Sequence, residues 1–138
     1  LFPYTTLFRS STPAPPCLDP VAHAQHINNL IDDEGRAIQT PAAQVIDLDD
    51  DGAPDLVLAA DRDATTTRYE MYVRANRCDR YVGGVRLEGT IVGTLAKRSH
   101  GLSVLEVVDP CRDACTHHEL RFNGSSWAFG DSWTVPKQ

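Results

Sequence analysis

The nine residues DLDDDGAPD, Asp47 to Asp55, constrain the fold more than any other stretch, because they set carboxylates at Asp47, Asp49, Asp51 and Asp55 around Gly52. Calcium takes about six to eight hard oxygen ligands, and alternate residues of a tight loop point inward. This spacing therefore suits a loop wrapped round the ion, with the Ala53 backbone carbonyl filling a further place. Gly52 permits the sharp turn that a side chain would obstruct. A plain solvated turn also gathers aspartates, but four unneutralised carboxylates at ligand spacing repel one another. A helix-flanked calcium hand needs a glutamate at the twelfth loop position and an exiting helix. Leu58 stands there instead, and PDLVLAA reads as a strand, so the loop is expected to be strand-flanked.

The apolar lead-in of Val45 and Ile46, the D-x-D-x-D-G-x-x-D core and the hydrophobic strand beginning at Leu56 together resemble the FG-GAP/VCBS repeats of integrin-like β-propellers and bacterial extracellular proteins. The resemblance covers residues 44–75 and implies a calcium-stabilised antiparallel β unit. A full propeller needs several such units, more than this length of chain supplies. At an offset of 49 to 50 residues a degenerate second copy follows: Gly52 aligns with Gly101, Leu56 with Leu105, RDATT (62–66) with RDACT (112–116), and Tyr72 with Phe122. Its ligand positions hold Ala96, Arg98, His100 and Val104, which cannot bind calcium in the same way. The expected fold is mainly β, with antiparallel sheets built from two related hairpin units, propeller-blade-like or sandwich, and one N-terminal helix.

Residues 1–10, LFPYTTLFRS, resemble one reading frame of a short-read sequencing adapter and are set aside as artefactual, so the native N-terminus, with any signal or anchor, is expected to be missing. Residues 11–16 have the composition of a stiff Pro-rich linker, and residues 17–138 form a single β-rich domain. Within it Asp19 suits an N-cap and Pro20 the first helical position. Gly35 suits a helix end, which predicts a helix over 20–34 with Ala24, Ile27, Leu30 and Ile31 on its apolar face. Beyond residue 44 the periodicity is two, as in Tyr69, Met71 and Val73. Asn123-Gly124 reads as a hairpin turn, and Trp127 and Phe129 read as core by alternation.

The formal net charge is −6, and setting Arg9 aside makes it −7, which leaves no electrostatic footprint for nucleic acid or an anionic membrane surface. No apolar run is long enough to span a bilayer. Cys17, Cys78, Cys111 and Cys115 fit an oxidising, extracytoplasmic setting. Of three possible pairings, Cys111 with Cys115 across a turn and Cys17 with Cys78 is the preferred one. The competing zinc set of Cys111, Cys115, His117 and His118 departs from ordinary zinc spacing, and C-x-x-x-C departs from the thiol-oxidoreductase C-x-x-C. Ser99, His100 and Asp109 have the residue types of a hydrolase triad without its supporting context. The function expected is a non-catalytic, calcium-binding extracytoplasmic module that meets a protein or glycan partner. The alternative class is a small secreted hydrolase, or an inhibitor of one, whose site the sequence does not reveal.

Overall fold

The computed structural model describes residues 17–137; the adapter-like segment 1–10 and the Pro-rich stretch 11–16 lie outside the described residues. Among the described residues one helix, α1 (Pro20–Ile27), precedes eight strands: β1 (Ala42–Ile46), β2 (Asp55–Arg62), β3 (Thr67–Ala75), β4 (Cys78–Leu87), β5 (Thr90–Ser99), β6 (Leu102–Val108), β7 (Ala114–Phe122) and β8 (Trp127–Pro136). They form two antiparallel four-stranded sheets, each running in chain order, β1 to β4 in sheet 1 and β5 to β8 in sheet 2. The mainly-β expectation with one N-terminal helix therefore holds. No helix among the described residues is long and apolar enough to cross a membrane.

Alternation along each strand sorts side chains onto two faces. In sheet 1, Val57, Tyr69, Met71, Val73 and Val82 point inward and share the principal core with Ile91, Leu105, Val107, Leu120 and Trp127 of sheet 2. The opposite face of sheet 1 presents Leu58, Ala60 and Tyr72 to Ala24 of α1 and to Leu30 beyond it. Trp127 joins the core and donates its indole N–H to the Val82 carbonyl at 2.9 Å, tying the sheets together. Phe129, expected in the core, is instead 53% exposed. The register shift between His118 and Leu120 on β7 breaks the alternation that the sequence pattern assumes across β8.

The helix is shorter than its pattern predicts. Asp19 caps it as expected, its carboxylate accepting the Val21 and Ala22 amides at 3.1 and 3.3 Å. It ends at Ile27 rather than residue 34, because the Asn28 side chain turns back to the Ala24 carbonyl and across to Glu70, each at 2.8 Å, and Asn29 takes a left-handed φ of 57°. Gly35 closes a separate small turn, its amide donating to the Asp32 carbonyl at 2.9 Å. Ile27 is consequently exposed.

The two sheets match each other by pairing as well as by strand order. Val57 opposite Met71 in sheet 1 corresponds to Leu105 opposite Leu120 in sheet 2, both pairs facing the core. RDATT and RDACT both straddle the connection between the second and third strands of their sheets. The residue correspondence expected from the sequence is nevertheless one position out. Tyr72 packs beneath α1 while Phe122 packs on the principal core, so Phe122 corresponds to Val73. A one-residue slip moves a side chain to the other face, and the aromatic match concealed it.

Candidate metal centre and neighbouring polar clusters

Residues 47–54 connect β1 to β2, and Asp55, the first residue of β2, pairs with Ile46, the last of β1. Loop geometry follows from the aspartates themselves. The Asp47 carboxylate accepts the Asp51 and Gly52 amides at 3.3 and 2.9 Å, and the Asp51 carboxylate accepts the Ala53 amide at 2.8 Å. Asp50 and Gly52 adopt left-handed φ values of 58° and 82°. Asp55 is buried, 3% exposed, and fixes the loop base: one oxygen accepts the Leu48 amide at 2.7 Å, and the other accepts the Arg74 amide of β3 at 2.8 Å. The wrap thus closes on the sheet that carries it.

Ligand atoms of Asp47, Asp49, Asp51 and Asp55 all lie within 4.8 Å of one another. Among the buried side-chain polar atoms of the described residues, Asp49 Oδ1 is the one without a hydrogen-bond partner. Desolvation, together with Asp51 and Asp55, pushes the Asp49 carboxyl up to about 6. Burial would raise Asp47 as well, but the Gly52 and Asp51 amides prevail and hold it below its ordinary value. A hard, oxygen-only donor set with one buried oxygen left over fits a cation such as calcium. Among the described residues the loop's ion pair is that of the well-exposed Arg98 guanidinium with the outward-facing Asp50 at 3.5 Å. It lies beside the loop and leaves the four-carboxylate cluster without an internal counter-charge.

The second copy has no comparable loop. Ser99 pairs with Leu102, leaving His100 and Gly101 as a two-residue turn with φ values of 51° and 84°, the conformation that suits a tight hairpin. Ala96 and Arg98 lie in β5 and Val104 in β6, so the four positions aligned with the ligands do not share one loop. The start of β6, just past this turn, still meets the acidic loop: Ser103 donates its amide to the Leu48 carbonyl at 2.7 Å.

Cys17 pairs with Cys78 and Cys111 with Cys115, with Cα separations of 5.1 and 4.5 Å. Both preferred pairings are thus present, and such pairs fit an oxidising, extracytoplasmic location. The zinc alternative loses its thiolates. His117 and His118 point to opposite faces of β7, each held by a carboxylate and an aromatic ring: His117 donates to Glu106 at 2.6 Å beside Trp133, and His118 to Asp109 at 2.7 Å beside Phe129. Asp109 is therefore engaged away from His100, whose ring contacts Ser99 on the hairpin turn at 3.1 Å.

Sequence reasoning passed over two buried glutamates. Glu70 on β3 is 1% exposed and takes hydrogen bonds from Arg68, Tyr81 and Asn28 at 3.1, 2.7 and 2.8 Å. Burial and the adjacent Glu70 push the Tyr81 hydroxyl up to about 12. Glu119 on β7 is 2% exposed and pairs with Lys97 and Arg121, while accepting the Asp131 amide at 3.1 Å. Glu70 lies opposite Leu58, and Glu119 opposite Glu106, which are matching positions in the two sheets. Each carboxylate also lies against a glycine of the next strand, Gly84 and Gly130. A glutamate at the same place in TRYEMYV and THHELRF, 49 residues apart, was the signal available.

No family model, curated protein or solved structure matches the chain. The functional reading therefore rests on the site.

Proposed function

We propose that the chain is a non-catalytic extracytoplasmic β module of the FG-GAP/VCBS type, which binds one calcium ion structurally and presents a surface to a protein or glycan partner. Asp47, Asp49, Asp51, Asp55 and the Ala53 carbonyl form the ligand set, completed by water. The observation that carries the reading is the convergence of four carboxylates within 4.8 Å around a buried Asp49 oxygen that lacks a protein partner. A cation relieves both the repulsion and the orphaned acceptor. The two cysteine pairs support export. Without a strong bidentate glutamate the affinity falls in the range of extracellular modules, roughly 10⁻⁴ to 10⁻³ M.

Thermal melting with chelator and with millimolar calcium tests the reading. At ten to a hundred times the dissociation constant, ion binding to the folded state adds about 1.4 to 2.7 kcal/mol. Asp49→Ala should melt higher than wild type in chelator, since it removes the most strained carboxylate, and should no longer respond to calcium. A wild type indifferent to calcium would remove the ion from the account.

A further inference from the structure

α1 covers the outer face of sheet 1, whereas among the described residues sheet 2 carries no helix over its own. That bare face holds a cleft of about 420 Å³, within the size range of small-ligand sites. Trp133 forms one wall, 38% exposed, its indole stacked at 18° on His117, which Glu106 fixes in turn. The aromatic surface is thereby held in place before any ligand arrives, and little conformational freedom remains to be lost on binding. Leu95 extends the apolar wall, while Lys97, Asp131 and Ser132 supply polar groups round it and Glu119 lies at its floor. The β5 register shifts between Thr94 and Arg98, a buckle of the kind that re-aims side chains beside binding sites, and Lys97 reaches across to Glu119 from within it.

We propose that this cleft binds a neutral sugar unit of a polysaccharide, a step that rests on reading the chain as a binding module and is independent of the calcium loop. A pyranose ring has an apolar C–H face that stacks on an indole and a rim of hydroxyls that exchange hydrogen bonds with carboxylate, ammonium and hydroxyl groups. The cleft offers that combination. Of the charges lining it, Lys97 pairs with Glu119, and Arg121 just outside the cleft pairs with both Glu119 and Asp131, so the two carboxylates are balanced and no net charge is left to select an ionic ligand. Asp131 meets Arg121 at 3.8 Å but is 80% exposed, so its carboxylate oxygens can still accept hydroxyls.

Affinity electrophoresis of the oxidised protein through gels containing dextran, galactomannan, xyloglucan or mixed-linkage β-glucan, with sulfated dextran and a polyuronate as charged comparisons, tests the proposal. At least one neutral polysaccharide should retard the wild type, and Trp133→Ala should weaken retention tenfold or more, as expected for a central aromatic anchor. Asp131→Ala, at an exposed position that bears on folding little, should weaken it as well. Retention should persist in chelator and in Asp49→Ala, so a failed calcium reading and a failed sugar reading give different results. The proposal is overturned if no neutral polysaccharide retards the protein, if only charged ones do, if both cleft variants bind as wild type, or if chelator abolishes retention. Loss of a protein partner on Trp133→Ala, without any polysaccharide binding, would equally overturn it.

Discussion

The two sheets share a strand path, a pairing register in the core and a buried glutamate set against a glycine, yet their first connections differ. Sheet 1 joins β1 to β2 through an acidic loop at residues 47–54, whereas sheet 2 joins β5 to β6 through a two-residue turn. Their outer faces differ too: one is sealed by α1 and a disulfide, the other is open round Trp133. The difference teaches that the repeated framework supplies stability, while the candidate chemistry sits in what is not repeated, a connection and an uncovered face.

The largest expected contrast comes from the cysteines. Cys17–Cys78 closes a separation of 61 residues and ties the segment leading into α1 to β4, whereas Cys111–Cys115 closes a separation of 4. In the chain-entropy model, replacing the first pair by serine costs about 4 kcal/mol and the second about 2, measurable by urea unfolding. Equal losses would mean that the N-terminal clamp does not act through the unfolded chain.

Next in size are the paired glycines. A Cβ on Gly84 would lie 2.6 Å from the Tyr69 backbone carbonyl and against the Glu70 carboxylate, where little can yield. At Gly130 no backbone atom lies so close, and the nearest neighbour is the end of the half-exposed Arg121, which can swing outward from Glu119. Gly84→Ala should therefore cost about 3 kcal/mol and Gly130→Ala about 1. The reverse order would show that the sheet 2 cluster is the more rigid.

A smaller contrast concerns pH in calcium-free protein. Asp49 has a folded value of about 6, above its ordinary 3.8, so its burden on stability is absent at low pH and grows as pH rises through that window. Glu119, held by Lys97 first and then by the Asp131 amide and Arg121, falls to about 2 from 4.5, and its contribution is lost as pH falls through that interval. Calcium-free melting should therefore peak near about pH 4, where the two opposing slopes cancel, and decline toward neutrality. Asp49→Asn should flatten the neutral side and leave the acid side unchanged; a decline that survives the substitution would assign it to another group.

Much of this was legible in the sequence where the signal is local. Alternation at Tyr69, Met71 and Val73, the Asp19 cap, the Asn123-Gly124 hairpin and the strand after the acidic loop each depend on neighbours in the chain. What failed depended on partners far away. The helix ends early because Asn28 is recruited by Glu70, 42 residues on, and Phe129 leaves the core because the β7–β8 register shifts. The buried glutamates were missed for the same reason: a charged residue in a strand reads as solvent-facing until its cross-strand partners are known. At the site, carboxylate spacing was enough to anticipate the cluster, but Asp55 as the buried clasp to Arg74 required the fold.

The central claim, that the acidic loop and not its counterpart in sheet 2 holds a metal ion, is tested most directly by calorimetric titration of chelator-stripped protein with calcium. The account predicts one ion per chain, a dissociation constant of roughly 10⁻⁴ to 10⁻³ M, and no binding heat in Asp49→Ala. A silent wild type, or unchanged binding by the variant, would contradict it.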